Sequence, residues 1–153
     1  APEVQVDNRL CELGRFGQKS GNGYYHYEAG SRQAEHDVEV DALVLEVSEG
    51  LGYQRREISP EEVLERSLLA LVNEGAKILE EGIAGSAHDI DLVYLNGYGF
   101  PADKGGPMAW ADQQGLADIH RRLLALETRQ GDHWNPARLI GELAATGKGF
   151  ADR

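Results

Sequence analysis

The sequence predicts an all-α fold, and three observations carry that prediction. Apolar residues recur at intervals of three and four through the second half of the chain, which is the period of helices that bury one face. Residues typical of helix caps, and glycines, bound each of these segments. The long alternation of apolar and polar residues that marks half-buried strands is missing from the sequence. We therefore expect a helical bundle with short connections and a glycine-rich N-terminal extension.

The first element expected is a short amphipathic helix over residues 6–13, with Val6, Leu10 and Leu13 on its apolar side. Gly14 then ends it. Because the helical pattern already runs at the first residues, with no capping residue well placed before it, we expect the chain to be part of a longer protein.

A glycine-rich stretch, GRFGQKSGNGYYHYEAGS, follows this helix. Its Lys19-Ser20 pair resembles the end of a phosphate-binding P-loop, but the glycine spacing differs and neither a strand nor a helix brackets it, so we predict a turn. The tyrosines at 24, 25 and 27 indicate a short extended segment. The acidic residues 35–49 fit either a linker or a weak helix.

The strongest helix signal begins at Ser59, which is followed by Pro60-Glu61-Glu62. This order gives a capping hydroxyl, a proline at the first helical position and an acid at the third, while Ile58 can pack on Val63 across the cap. The apolar face expected for this helix is Leu64, Leu68, Leu71, Val72, Ala76, Leu79 and Ile83. Asn73 lies on the same side, where a buried amide must find partners. Its expected role is either a helix-to-loop hydrogen bond in a polar core or a substrate contact.

Two shorter helices follow. Ser86 caps a helix whose apolar face is Ile90, Val93 and Tyr94, and Gly97 ends it. The next is PMAWADQQ, which begins after Gly106 and is ended by Gly115.

The last two predicted helices also end at glycines. The first covers residues 116–130, before Gly131. The second is predicted to have Asn135 as its cap and Pro136 at its first position, and to end near Gly147.

The segment Gly97-Tyr98-Gly99-Phe100-Pro101-Ala102 reads G-x-G-x-x-A, a form of the dinucleotide-binding fingerprint. That fingerprint requires a strand before the glycines and a helix immediately after them. Here a helix precedes the glycines, Pro101 lacks an amide donor, and the next helix begins only at Pro107. We therefore predict no cofactor-binding residue here. The structural loop that we predict instead comprises Gly97, Tyr98, Gly99, Phe100, Pro101, Gly105, Gly106 and Pro107. Its four glycines are expected to supply a positive φ or a close backbone approach where two helices cross.

Composition excludes several functions. The chain has 15 Lys and Arg against 26 Asp and Glu, a net charge of −11, which disfavours nucleic acid and anionic membranes as partners. No apolar run is long enough for membrane insertion. The single cysteine, Cys11, fits a reducing compartment. The five histidines lack metal-ligand spacing, so we predict no metal site. Glu80 and Glu81 are interpreted as a solvated surface, and no catalytic residue is predicted.

One long block, LVNEGAKILEEGIAGSAHDIDLVYLNGYGFPADKGGPMAWAD, resembles the C-terminal helical domain of the L-3-hydroxyacyl-CoA dehydrogenase family. It is most similar to the last domain of the multifunctional β-oxidation enzymes that join an enoyl-CoA hydratase to the dehydrogenase. The earlier stretch LGRFGQKSGNGYYHYE is similar to the end of the helical domain that precedes it in that family. The resemblance implies a bundle like the C-terminal domain of 6-phosphogluconate dehydrogenase.

The resemblance also implies a division into three parts. Residues 1–30 are the tail of the preceding helical domain, residues 31–57 an acidic linker, and residues 58–153 a second C-terminal-type helical domain. In the family, NAD and the catalytic His–Glu pair belong to a Rossmann domain that this sequence lacks, so NAD belongs to the parent enzyme and no cofactor to this chain. The family's substrate-binding asparagine corresponds to Glu65-Arg66 here, so that residue is missing.

The function implied is a structural interface domain that packs against the Rossmann and first helical domains of the parent enzyme, and that forms a homodimer when isolated. An independent acyl-CoA-binding module is the alternative, with Lys104 as the cation nearest the glycine loop. A protein that completes a dehydrogenase in trans is the third. The resemblance implies a bacterial cytoplasm, a peroxisome or a mitochondrion as the location.

Overall fold

The computed structural model describes residues 5–152, which form seven α-helices in two compact units. The first unit is residues 1–57 and the second is residues 58–153. Among the described residues the extended pairing is confined to isolated bridges between residues 17 and 35. The all-α prediction is confirmed.

The first unit holds α1 (Gln5–Glu12) and α2 (Val38–Gly50), joined by the glycine-rich segment. Its small apolar core is Leu10 of α1 with Val40 and Leu43 of α2. The segment expected to be an acidic linker or a weak helix thus contains a helix that buries apolar residues. Asp37 caps α2 by accepting the backbone N–H of Glu39 at 2.9 Å.

The second unit contains α3 (Pro60–Glu80), α4 (Ala87–Gly97), α5 (Pro107–Gln114), α6 (Leu116–Gln130) and α7 (Arg138–Thr146). Short 3₁₀ helices occupy Ala102–Lys104, Asp132–Trp134 and Phe150–Asp152. The five predicted helices are all present. The buried core is shared by all of them and is centred on Val72, Met108, Ile119, Leu123 and Ile140.

The predicted caps of α3 and α4 are correct. Ser59 Oγ accepts the N–H of Glu62, and Ser86 Oγ accepts the N–H of Asp89, each at 3.2 Å. The predicted length of α3 is wrong at its end, because Gly82 adopts a left-handed conformation and the N–H of Ile83 bonds back to Ile78 at 2.9 Å. Ile83 therefore lies beyond the helix and is exposed.

The predicted start of α7 is also wrong. Asn135 and Pro136 precede the helix, which begins at Arg138 after Ala137. The physical reason is that the N–H groups at this end bond to side chains of α3 and not to a local cap. Among the described residues, no helix is long and apolar enough to cross a membrane.

Candidate functional site

The glycine loop between α4 and α5 is built around one buried carboxylate, that of Asp91. Its two oxygens accept the backbone N–H groups of Met108 at 2.8 Å and Ala109 at 3.1 Å. These are two of the N–H groups that a helix leaves without an internal partner at its first turn. A negative charge also interacts favourably with the positive end of the helix dipole. Asp91 on α4 is therefore the N-terminal cap of α5.

Gly106 is required by this contact. Its φ of +107° and ψ of 170° belong to a region that only glycine occupies readily, and a Cβ there would collide with the Asp91 carboxylate. Gly99 and Gly105 also have left-handed φ values of +68° and +77°. Gly97 is different: it is the last residue of α4, and a Cβ on it would meet nothing within 4 Å. The expectation that Gly97 supplies a positive φ or a close approach does not match this conformation.

Burial raises the pKa of Asp91, and the two backbone hydrogen bonds oppose that shift. The charge of Asp112 raises the pKa further, while His88 lowers it. The effect of burial is the largest of these.

The residues of this loop do not fit a dinucleotide cofactor. Helix α4 leads into the glycines, and the N-terminal amides of α5, which a pyrophosphate would need, already donate to Asp91. A phosphate at this helix end would also meet a carboxylate. No chemistry of the nicotinamide cofactor is therefore assigned to the loop.

Two aromatic side chains of the loop contact Tyr94 of α4. The rings of Tyr94 and Tyr98 lie 5.2 Å apart, and Phe100 meets Tyr94 edge-on at 6.4 Å. Trp110 packs against the main core. Tyr98 nevertheless stays 75% exposed, so it stacks on a neighbour without being covered.

A cavity of about 480 Å³ opens beside Asp91, lined by His88, Met108, Asp112 and Phe150 among others. Asp112 repeats the arrangement seen at Asp91: its oxygens accept the N–H groups of Phe150 at 2.7 Å and Ala151 at 3.0 Å. Both carboxylates are thus occupied by backbone amides, and neither is set up as a general base.

Asn73 is buried and bonds to the segment that leads into α7. Its Nδ2 donates to the carbonyl oxygen of Asn135 at 3.0 Å, and its Oδ1 accepts the N–H of Ala137 at 2.8 Å. Of the two roles expected for Asn73, the helix-to-loop hydrogen bond is the one present in this geometry.

Glu80 also reaches α7, where its carboxylate accepts the N–H of Leu139. Glu80 is exposed, as interpreted from the sequence, and it makes this hydrogen bond in addition. Helix α3 thus supplies two side chains, Asn73 and Glu80, to the start of α7.

Glu65 and Arg66 lie on the N-terminal half of α3 and are both engaged within the domain. Glu65 Oε1 pairs with Arg122 Nη1 at 3.1 Å. Arg66 hydrogen-bonds to Gln130, lies 3.7 Å from Glu62, and sits 5.9 Å from the centre of the Trp134 ring.

No group of histidine, cysteine and acidic side chains with the geometry of a metal site exists within residues 5–152. His26 bonds to the side chain of Asn22 at 2.8 Å, and His36 pairs with Asp41 at the same distance. Cys11 is exposed, which differs from the buried position that is usual for a free cysteine.

Sequence reasoning missed Asp91 and Asp112 because acidic residues inside helices usually face solvent. A usable signal did exist for Asp91. The Gly106-Pro107 start of α5 has no local capping side chain, so its amides had to find an acceptor elsewhere.

Comparison with known proteins places this geometry in context. The family model described as 3-hydroxyacyl-CoA dehydrogenase, C-terminal domain, matches residues 63–150. The peroxisomal bifunctional enzyme of Danio rerio is 41% identical over 145 residues, which cover 93% of this chain and 20% of that protein. The fatty acid oxidation complex subunit alpha of Pseudomonas syringae is 33% identical over 158 residues, which cover 97% and 21%.

A solved structure, the dehydrogenase part of multifunctional enzyme 1 from C. elegans, has a TM-score of 0.68 and 25% sequence identity. The match covers 90% of this chain and 32% of that one. The chain spans about a fifth of the length of the curated relatives that it matches.

Proposed function

Because the chain belongs to the 3-hydroxyacyl-CoA dehydrogenase C-terminal domain family, whose model matches residues 63–150, we propose that it is a structural domain of a multifunctional β-oxidation enzyme. The parent enzyme oxidises a 3-hydroxyacyl-CoA to the 3-ketoacyl-CoA, and NAD, bound in the parent's Rossmann domain, accepts the hydride. This chain packs against that domain and the first helical domain, and it contributes no catalytic group.

The observation that carries the proposal is an apolar surface on and beside α3 and α4 that the domain does not cover. Leu64 is 61% exposed, Ile83 is 71% exposed and Val93 is 56% exposed, although each belongs to the apolar period of the sequence. Exposed apolar side chains such as these are typical of surface that meets another domain. The apolar faces predicted for α3 and α4 therefore include residues that the core of this domain does not bury.

The absence of a catalytic role is supported by Glu65 and Arg66, which correspond to the family's substrate-binding asparagine. Their side chains pair with α6 residues Arg122 and Gln130 inside the domain. An ion pair and a long guanidinium replace the neutral amide, so the chemistry of that position is different.

We propose that such a domain holds the catalytic domains of the parent enzyme in their correct relative positions. A catalytic site assembled from several domains depends on their relative geometry, and small displacements reduce the rate by large factors. The proposed domain fixes that geometry from outside the site.

The direct test of inactivity is the appearance of NADH absorbance when the isolated chain is mixed with NAD and a 3-hydroxyacyl-CoA. We expect no absorbance change at any chain concentration. Turnover that scales with the concentration of the chain would refute the proposal.

A second test concerns the uncovered surface. Without the parent's domains, a second copy is the partner available to it, so we expect a homodimer in light scattering. Leu64→Glu should give a monomer, whereas Val38→Glu, at a 72% exposed position in the first unit, should leave the dimer intact. A wild-type monomer over a wide concentration range would contradict the homodimer.

The location proposed follows the source of the chain. Relatives include a peroxisomal enzyme in animals and a subunit of a bacterial complex. We propose a peroxisome or a mitochondrion if the source is eukaryotic, with the peroxisome favoured by these relatives, and the cytoplasm if it is bacterial.

A further inference from the structure

The first unit contains an open groove of about 660 Å³ between two turns of the glycine-rich segment. One wall is the 3₁₀ turn Gln18–Ser20 with Gly21, and the other is the segment from Tyr27 to Arg32. The groove is lined wholly by residues 18–32, so it belongs to this unit alone.

Backbone and side-chain hydrogen bonds hold the two walls together. Gln18 Nε2 donates to the carbonyl oxygen of Ser31 at 3.2 Å. The N–H of Tyr27 donates to the carbonyl oxygen of Gly21 at 2.8 Å. Ser20 Oγ accepts the N–H of Phe16 at 3.0 Å and lies 2.9 Å from the carbonyl oxygens of Gly17 and Asn22. A loop that is ordered by its own polar bonds is a common carrier of function.

The charges that line the groove are Lys19, Arg32 and Glu28. Within the described chain, neither Lys19 nor Arg32 has a carboxylate in ion-pair distance. Cations that do have one include Arg9, Arg15, Arg66, Lys104, Arg121, Arg122 and Arg138. Lys19 and Arg32 outnumber Glu28 among the charges that line the groove, which makes the groove a local positive site in a chain with a net charge of −11.

We propose that this groove binds a ligand that carries a pyrophosphate or another multiply charged phosphate group, with Lys19 and Arg32 as its two cationic contacts. A diphosphate has two charged phosphate groups, so one can contact Lys19 and the other Arg32. The planar guanidinium of arginine can donate two parallel hydrogen bonds to two oxygens of one phosphate. Glu28 opposes the binding and limits its affinity.

This site differs from a P-loop, because the Ser20 hydroxyl and the N–H groups of Ser20 and Gly21 are used within the loop and the two cations bind the ligand. The proposal is independent of the proposed function, since the groove lies outside residues 63–150 that the family model matches.

The test is isothermal titration of the whole chain with inorganic pyrophosphate at low ionic strength. We expect saturable 1:1 binding that weakens as salt is added and that is tighter than binding of inorganic orthophosphate. Lys19→Gln and Arg32→Gln should each weaken it about tenfold, which is the usual effect of one charge-assisted contact. Glu28→Gln should strengthen it.

The matched control is Lys148→Gln, which removes the same charge from an exposed lysine in the second unit. It should leave the affinity unchanged. Since Lys19 and Arg32 make no ion pair in the chain, their variants should keep the wild-type melting temperature. The proposal is overturned if the chain does not bind pyrophosphate, if Lys148→Gln weakens binding as much as Lys19→Gln, or if Glu28→Gln has no effect.

Discussion

The side chain of Asp91 lies so close to Gly106 that a Cβ atom at position 106 would be only 2.3 Å from Asp91 Oδ1. The contact lets α4 cap α5 directly, through hydrogen bonds to Met108 and Ala109. The same design recurs between Asn73 and α7, and between Asp112 and the last 3₁₀ helix. Besides sharing one apolar core, the helices of the second unit are thus linked by side chains of one helix that cap the start of another.

The Gly106→Ala substitution should destabilise the protein by about 3 kcal/mol or more. It combines a backbone conformation that only glycine adopts readily with a clash against a buried carboxylate. Urea unfolding followed by circular dichroism measures the loss.

The matched control is Gly97→Ala, in the same loop region. Gly97 is helical and has free space around it, so alanine should stabilise the protein by up to about 1 kcal/mol. Equal destabilisation by the two variants would be inconsistent with this description of the loop.

Asn73→Ala should reduce the free energy of unfolding by about 2–3 kcal/mol, because it removes both partners from the backbone groups of Asn135 and Ala137. Asn96→Ala is the comparison, since Asn96 is exposed and its side chain bonds to the carbonyl oxygen of Leu92 in its own helix. It should change stability by less than about 0.5 kcal/mol. A small effect of Asn73→Ala would mean that the helix-to-loop bonds contribute little.

Asp91 and Asp118 should have opposite effects on the pH dependence of stability. Burial raises the pKa of Asp91, so its contribution is fully present below the ordinary value of 3.8 and is lost as pH rises through the raised pKa. Hydrogen bonds from Arg121 and Arg122 lower the pKa of Asp118, so its contribution is present above 3.8 and is lost as pH falls.

Unfolding free energies of the wild type, Asp91→Asn and Asp118→Asn between about pH 3 and pH 6 measure this. The difference between wild type and Asp91→Asn should shrink as pH rises, and the difference for Asp118→Asn should grow. Parallel curves for the two variants would show that the assigned environments are wrong.

Asp112→Ala should release the last 3₁₀ helix from α5. Hydrogen exchange at the amides of Phe150 and Ala151 should then accelerate, because both have lost their acceptor. Asp103→Ala, which removes only an exposed ion pair with Lys104, should leave those amides protected. Unchanged exchange in Asp112→Ala would count against this anchor.

The sequence was a good guide to elements whose signals are local. Ser59 and Ser86 cap their helices as predicted, because a capping hydroxyl acts within three residues of itself. The ends of α5 and α6 were predicted from Gly115 and Gly131, which directly follow these helices in the sequence. The family assignment also needed only a contiguous block of residues.

The features that could not be predicted depend on contacts between distant segments. Asp91 is 17 residues from Met108, and Asn73 is 64 residues from Ala137. The start of α7 was misplaced because its acceptor lies on another helix. Periodicity also predicted Leu64 and Val93 to be buried, since it reports an apolar face and not what covers that face.

We propose that this domain acts through its uncovered apolar surface and not through a catalytic residue. The most direct measurement is kcat/KM for 3-hydroxyacyl-CoA oxidation by the full-length parent enzyme carrying Leu64→Glu or Glu65→Gln. We predict at least a tenfold loss for Leu64→Glu, because the domains are displaced, and a change of less than about twofold for Glu65→Gln. A large loss for Glu65→Gln with full activity of Leu64→Glu would contradict the claim.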